Sequence, residues 1–283
     1  MNRSAIIFVL LLATILFPLL ARTVVDREEQ KQHSVPDGML LVPAGPFTLG
    51  TDQEDEEGRG EEYGLMVPWF ASAQPAHKVN IAAFYMDITE VTNDAYARFM
   101  AATGHRPPVH WGGTRRPPEG LENHPVAHVS WHDAVAFCAW AFDRRLPTEA
   151  EWEKAARGTD ARNYPWGNDW DAEAANVASG HTSPVGSHPK GAGPYGHQDL
   201  VGNLWEWTAS WYQAYSGGTY DDPKYGETHR TLRGNSWASI GHYPDKFVFE
   251  EIVSNNSRAT YRLFLAPAGR LNDVGFRCVQ DAG

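Results

Sequence analysis

The chain has 283 residues, 42% of them hydrophobic, enough for a sizeable core in one large domain or two small ones. Its 35 acidic residues outnumber 24 Lys and Arg and give a net charge of −11, which argues against nucleic-acid binding through a basic face. The 26 glycines, 19 prolines and 11 tryptophans point to irregular backbone pinned by large aromatics, with regular helix and sheet in the minority.

The run from Ala5 to Ala21 carries no charge, and it approaches the roughly 17–25 residues that cross a bilayer. Residues 1–22 therefore read as an N-terminal membrane anchor or a cleaved signal segment, and either implies export. No cysteine follows the run, so a lipid anchor is excluded. Residues 23–34 are polar and read as a tether, and residues 35–283 as the folded domain. The acidic run Asp52–Glu62 lacks the alternating carboxylates of an EF-hand loop and reads as a solvated loop.

Three helices follow. Thr92 caps one over Asn93–Ala102, with Gly104 past its end. Ser130 and Asp133 form a capping-box pattern for a second over about Trp131–Phe142. Thr148 and Glu151 repeat that pattern ahead of a third, which Gly158 ends. Beyond it, turns such as Pro165–Asn168 and Pro189–Gly191 separate short apolar runs, so strands there are expected to be brief. In an exported domain, Cys138 and Cys278 invite a disulfide, the one intramolecular pairing two cysteines allow; two buried thiols are the alternative.

Five blocks in order carry a resemblance. They are Leu41–Phe47 with Leu49 and Gly50; Phe84–Asp87 with Glu90–Asn93; Val129–Trp131 with Arg145–Glu153; Gly202–Trp207; and Arg233–Trp237 with Gly275–Cys278. From Met39 to Val279 the chain resembles the formylglycine-generating enzyme, or sulfatase-modifying factor, family. The resemblance implies an α+β, irregular, loop-rich single domain related to C-type lectin folds, and a bond between Cys138 and Cys278. It also implies where the reaction would sit. Active members hold copper(I) on two cysteines and oxidise a substrate cysteine to formylglycine; thiolate suits this because it is a soft Cu(I) ligand. Here those positions fall on Ser239 and near Ser254, hard oxygen donors, so copper is not expected. The family groove then maps to Ser236, Ser239, Ser254, Trp205, Arg258 and Arg262, none of them an assured catalytic group.

The resemblance further implies a structural Ca2+ site on Asp199 and Glu206, with main-chain carbonyls of Leu200, Gly202 and Leu204; the competing reading is a hydrogen-bonded turn. Such a set suits calcium, which accepts six to eight oxygens in flexible geometry. A second family site would begin at Asn176 and Val177, but the acid expected downstream is missing.

His128 and His132 stand four apart but straddle the helix cap and read as surface or capping residues, and His105, His110 and His124 surround the loop at Trp111–Gly113. Trp205, Trp207, Trp211 and Trp237 read mostly as core, with a binding role open to at least one. Asn255–Ser257 matches a glycosylation acceptor. Two functions compete: an exported, membrane-tethered, non-catalytic binding, maturation or assembly factor for an extracytoplasmic protein or peptide, and an enzyme reusing the groove on a peptide or metabolite.

Overall fold

The computed structural model describes residues 35–65, 67–142, 144–238 and 245–283, and Gly38–Ala282 form one compact unit. In chain order the elements are β1 (Met39–Val42), β2 (Gly45–Leu49), α1 (Arg59–Glu62), β3 (His77–Ile81), β4 (Phe84–Asp87), α2 (Asn93–Thr103), α3 (Trp131–Trp140), α4 (Glu149–Arg157), β5 (Trp205–Trp211), β6 (Arg230–Arg233), α5 (Lys246–Asn256), β7 (Leu263–Leu265), β8 (Val274–Gly275) and β9 (Val279–Asp281). They pair as a three-stranded sheet ordered β1-β4-β9, a β2-β3 hairpin, and a four-stranded sheet ordered β7-β6-β5-β8. The mixed, loop-rich α+β architecture expected from the sequence is what forms.

The helices begin where their caps place them. The Thr92 hydroxyl accepts from the Ala95 amide, and Ser130 with Asp133 and Thr148 with Glu151 form complete capping boxes. Each satisfies amides that a helix start leaves without partners. The α3 helix stops at Trp140, two residues short of expectation, because Phe142 takes a left-handed backbone (φ 62°) that cannot continue it. Helix α5 was not foreseen. It lies in a stretch where no helix was expected, and the Asp245 carboxylate caps it by accepting from the Phe247 and Val248 amides. Nor is Asp52–Glu62 simply a solvated loop: it contains α1, whose first amides, Arg59 and Gly60, donate to the Asp55 carboxylate.

Two buried clusters make the core. One gathers Tyr96, Phe99, Phe137, Trp207 and Phe276; the other gathers Val42, Phe84, Met86, Trp152 and Val279. The C-terminal segment joins them. Gly275 pairs with Glu206 in parallel register, Phe276 meets the ring of Phe137 edge-on, and the Phe276 carbonyl accepts from the Val91 amide. Cys278 is bonded to Cys138 of α3, and Val279 exchanges hydrogen bonds with Arg145 and lies in β9 beside β4. Among the described residues no helix is long and apolar enough to cross a membrane; the run 5–21 and the tether 23–34 lie outside them.

Candidate functional site

Strand β5 sets Trp205 between two groups of polar side chains. On one side, the Trp205 amide donates to the Asp273 carbonyl, and the Ser236 hydroxyl donates to Asp273 Oδ2 at 2.9 Å. The Ser236 oxygen also accepts from the Ala238 amide at 3.3 Å, and the residue is 2% exposed. Burial raises the Asp273 carboxyl, an effect the Ser236 bond opposes. His128, whose field reaches Asp273, has its ring centre 4.7 Å from that of His110, the two planes tilted by 34°. On the other side, the Trp205 ring lies 6.1 Å from that of Tyr261, which lines a narrow recess with Trp69, Phe70, Asn255, Arg258 and Thr260.

The expected groove residues are only partly brought together. Trp205 and Ser236 meet at Asp273, and Arg258 faces the recess. Arg262 also reaches it, but as a buried strut: its Nε and Nη2 donate to Glu149 at 2.6 and 3.0 Å, and it holds the Ser72 and Gln213 carbonyls. Ser254 sits on α5, where its hydroxyl donates to the Glu251 carbonyl and its own carbonyl accepts from Tyr164. Ser239 lies outside the described residues. Asp273, Tyr261 and Trp69 were missed. Asp273 stands two residues before Gly275–Cys278 and could have been found from that block; Trp69 lies in a stretch with no motif.

Cys138 and Cys278, both fully buried, form a disulfide with Cα atoms 5.7 Å apart. They are the two cysteines of the whole sequence. A paired thiolate site for copper(I) needs sulfur donors beyond these, so the donor set does not fit that metal.

The segment Asp199–Glu206 is a tight, irregular turn in which Asp199, Gly202 and Asn203 all take positive φ. Gly202 is obligatory: a Cβ there would lie 2.8 Å from the backbone nitrogen and oxygen of Asn176. The Asn176 side chain donates to Asn203 Oδ1 at 3.2 Å, so the two turns brace each other. Glu206 is committed: both oxygens accept from Arg277 at 2.7–2.9 Å, and Oε2 also accepts from the Trp152 indole at 2.9 Å. Asp199 Oδ2 accepts from the Gly186 amide.

Glu90, acted on by the charges of Asp199, Arg277 and Glu206, is 2% exposed with neither carboxylate oxygen hydrogen-bonded. Burial, then Asp199, holds its carboxyl well above the usual carboxylate range. Three buried carboxylates thus lie around one guanidinium, and a buried carboxylate without partners is costly. The buried oxygens suit a hard cation, whose charge would favour the ionised form of Glu90. Among the described residues no three acidic, histidine or cysteine side chains converge as a ligand set, so such an ion would draw on main-chain carbonyls, as calcium does.

The profile of the Sulfatase-modifying factor enzyme 1-like domain matches residues 23–282. The chain is 32% identical to the "Inactive C-alpha-formylglycine-generating enzyme 2" of Mus musculus over an alignment of 309 positions, covering 90% of this chain and 89% of that protein. It is 31% identical to the "Formylglycine-generating enzyme" of Bos taurus, covering 90% and 80%. Among solved structures, PvdO from Pseudomonas aeruginosa superimposes with a TM-score of 0.64 at 28% identity, over 86% of this chain and 94% of that one.

Proposed function

This chain belongs to the sulfatase-modifying factor family, and we propose that it uses the family scaffold as a non-catalytic binding, maturation or assembly factor for an extracytoplasmic protein. The observation that carries this reading is the fate of sulfur: the chain's two cysteines are spent on one buried disulfide, and no thiol remains to hold copper(I). Similarity to relatives named inactive supports the same reading.

The alternative, an enzyme reusing the groove, draws on the Ser236–Asp273 hydrogen bond. Its geometry favours structure over chemistry. The Ser236 hydrogen is directed to Asp273, its oxygen accepts a backbone amide, and the side chain is enclosed. An attacking hydroxyl needs a base and an open approach to a substrate carbon.

In this reading the N-terminal run delivers the domain across a membrane and, if retained, tethers it there through residues 23–34. A calcium ion would be held by Asp199 and Glu90 with the Leu200, Gly202 and Leu204 carbonyls, while Glu206 remains with Arg277. Its contribution is to neutralise the carboxylates and fix the turn that positions Trp205. Oxygen uptake by the purified chain with copper(I) and a cysteine-bearing substrate peptide tests the proposal. No consumption above a protein-free blank is expected, and sustained turnover overturns it. For calcium, a rise in melting temperature on addition of Ca2+ that Asp199→Asn abolishes is expected; equal melting in Ca2+ and in chelator removes the ion from the account.

A further inference from the structure

The recess beside Tyr261 is positively charged within a strongly acidic chain. Arg157, Arg233 and Arg262 are paired with only two carboxylates, Glu149 and Glu153. Arg258 joins this group with no acidic partner among the described residues. Its Nε donates to Asn255 Oδ1 and its Nη1 to Gln53 Oε1, both at 3.0 Å and both neutral amides. Its guanidinium carbon lies 5.4 Å from the Phe70 ring and 5.9 Å from that of Tyr164. The wider cluster thus sets four guanidiniums against two carboxylates, with Arg258 and Arg262 lining the recess itself, and the carbonyl end of α5 offsets the excess only in part.

The donors left over point the same way. Arg258 Nη2, the Asn255 amide nitrogen and the Thr260 hydroxyl make no hydrogen bond to the described residues, and all three residues line the recess. The Arg258 fork is already held by two amides and two aromatic faces, so ordering it for a ligand costs little side-chain entropy. A second guanidinium, Arg262, lines the same recess, and the charge of Arg157 also acts on Arg258.

We infer that this recess is an acidic-residue subsite, in which Arg258, Asn255 and Thr260 receive the carboxylate of an aspartate or glutamate on the bound polypeptide. The inference rests on the binding role proposed above and gives that role its chemistry. A carboxylate offers two acceptor oxygens to the three free donors and cancels the local surplus of charge. An apolar or basic residue would leave donors or repulsion in the recess, so the subsite discriminates as well as attracts.

The test follows the indole signal of Trp69 and the Nε signal of Arg258 by NMR. The full domain is titrated with acetyl-Gly-Glu-Gly-amide and, separately, with acetyl-Gly-Gln-Gly-amide. Saturable shifts with the glutamate peptide alone are expected, weakening as salt is raised. Arg258→Gln should weaken binding about 10- to 100-fold, the worth of a charge-assisted hydrogen bond. Arg258→Lys should retain part of it, and Thr260→Val should weaken it without altering charge. Equal response to the two peptides, or none, overturns the inference, as does unchanged binding in Arg258→Gln. Should Arg258→Gln fail to fold, the peptide comparison on the natural chain and Thr260→Val still decide. Copper-dependent oxygen uptake would remove the non-catalytic reading while leaving this titration intact; silence in both assays removes the subsite alone.

Discussion

Replacing Glu206 with Gln separates two roles for the same carboxylate. Glu206 and Arg277 are 1% and 0% exposed, and the carboxylate accepts from Arg277 Nε and Nη2 and from the Trp152 indole. Glutamine keeps the shape and one acceptor but removes the charge. The guanidinium would keep the carbonyls of Asp87, Ile88, Gln198 and Asp199, at 2.9–3.3 Å, and the more distant Glu90 and Asp199 carboxyls, but lose the one carboxylate hydrogen-bonded to it. Breaking a buried pair on one side costs about 3–5 kcal/mol, because the remaining charge loses its paired counter-ion. With a urea slope of about 3 kcal/mol/M, expected for a domain of this size, the midpoint falls by about 1 M or more. The assay is urea unfolding followed by tryptophan fluorescence, in chelator and in Ca2+. Because Arg277 is the partner, the loss should be the same in both media, and a cycle with Arg277→Met should show strong coupling. A Glu206→Gln domain as stable as the natural one in chelator, but blind to calcium, would refute the assignment and make Glu206 a cation ligand.

Other expectations can be checked with the same purified domain. The Cys138–Cys278 bond closes a sequence separation of 140, so Cys138→Ala with Cys278→Ala should cost about 5 kcal/mol by chain entropy, read as a lower urea midpoint. Although burial works against it, Arg262 and Arg233 hold the Glu149 carboxyl below its ordinary value of 4.5. Stability from this group is therefore present above pH 4.5 and lost as pH falls through the depressed value; Glu149→Gln should be less stable at neutral pH and flatten the acid limb of a melting-temperature profile. At Gly275 a Cβ would stand 2.6 Å from the Val126 carbonyl and 2.5 Å from Leu204 Cδ1, so Gly275→Ala should lower stability by about 1–3 kcal/mol or more in urea.

What the sequence revealed was local. The starts of α2, α3 and α4 were legible because a capping hydroxyl, joined in α3 and α4 by the acid three residues on, satisfies the same few amides wherever it occurs. The end of α3 was not, since nothing in Ala141–Phe142 announces a left-handed residue. Helix α5 was missed because its face is weakly patterned: only Ile252, Val253 and Asn256 are buried, while Phe247 is 68% exposed. The family blocks marked Trp205, Ser236, Glu206 and Arg277, yet the partners that decide their behaviour come from afar. Glu90 neighbours the Asp199–Glu206 turn from more than 100 residues upstream, and the recess at Arg258 is completed by Trp69 and Phe70. Such neighbours are set by tertiary packing and leave no periodic signal. A buried carboxylate with no hydrogen bond, such as Glu90, is visible only once the fold is known.

The C-terminal segment has a consequence for synthesis. Within Gly275–Val279, successive residues complete the β5 sheet, seat an aromatic against α3, neutralise Glu206, lock the disulfide and bring the chain to β9. A ribosome has made the domain through Asp273 before any of these can form. The emerging domain must therefore wait, with β5 lacking its parallel neighbour and Glu206 lacking Arg277, until residues 274–279 have been made. Truncation before Val274 removes the clasp rather than a tail, so the domain can close only after residue 279 has been made.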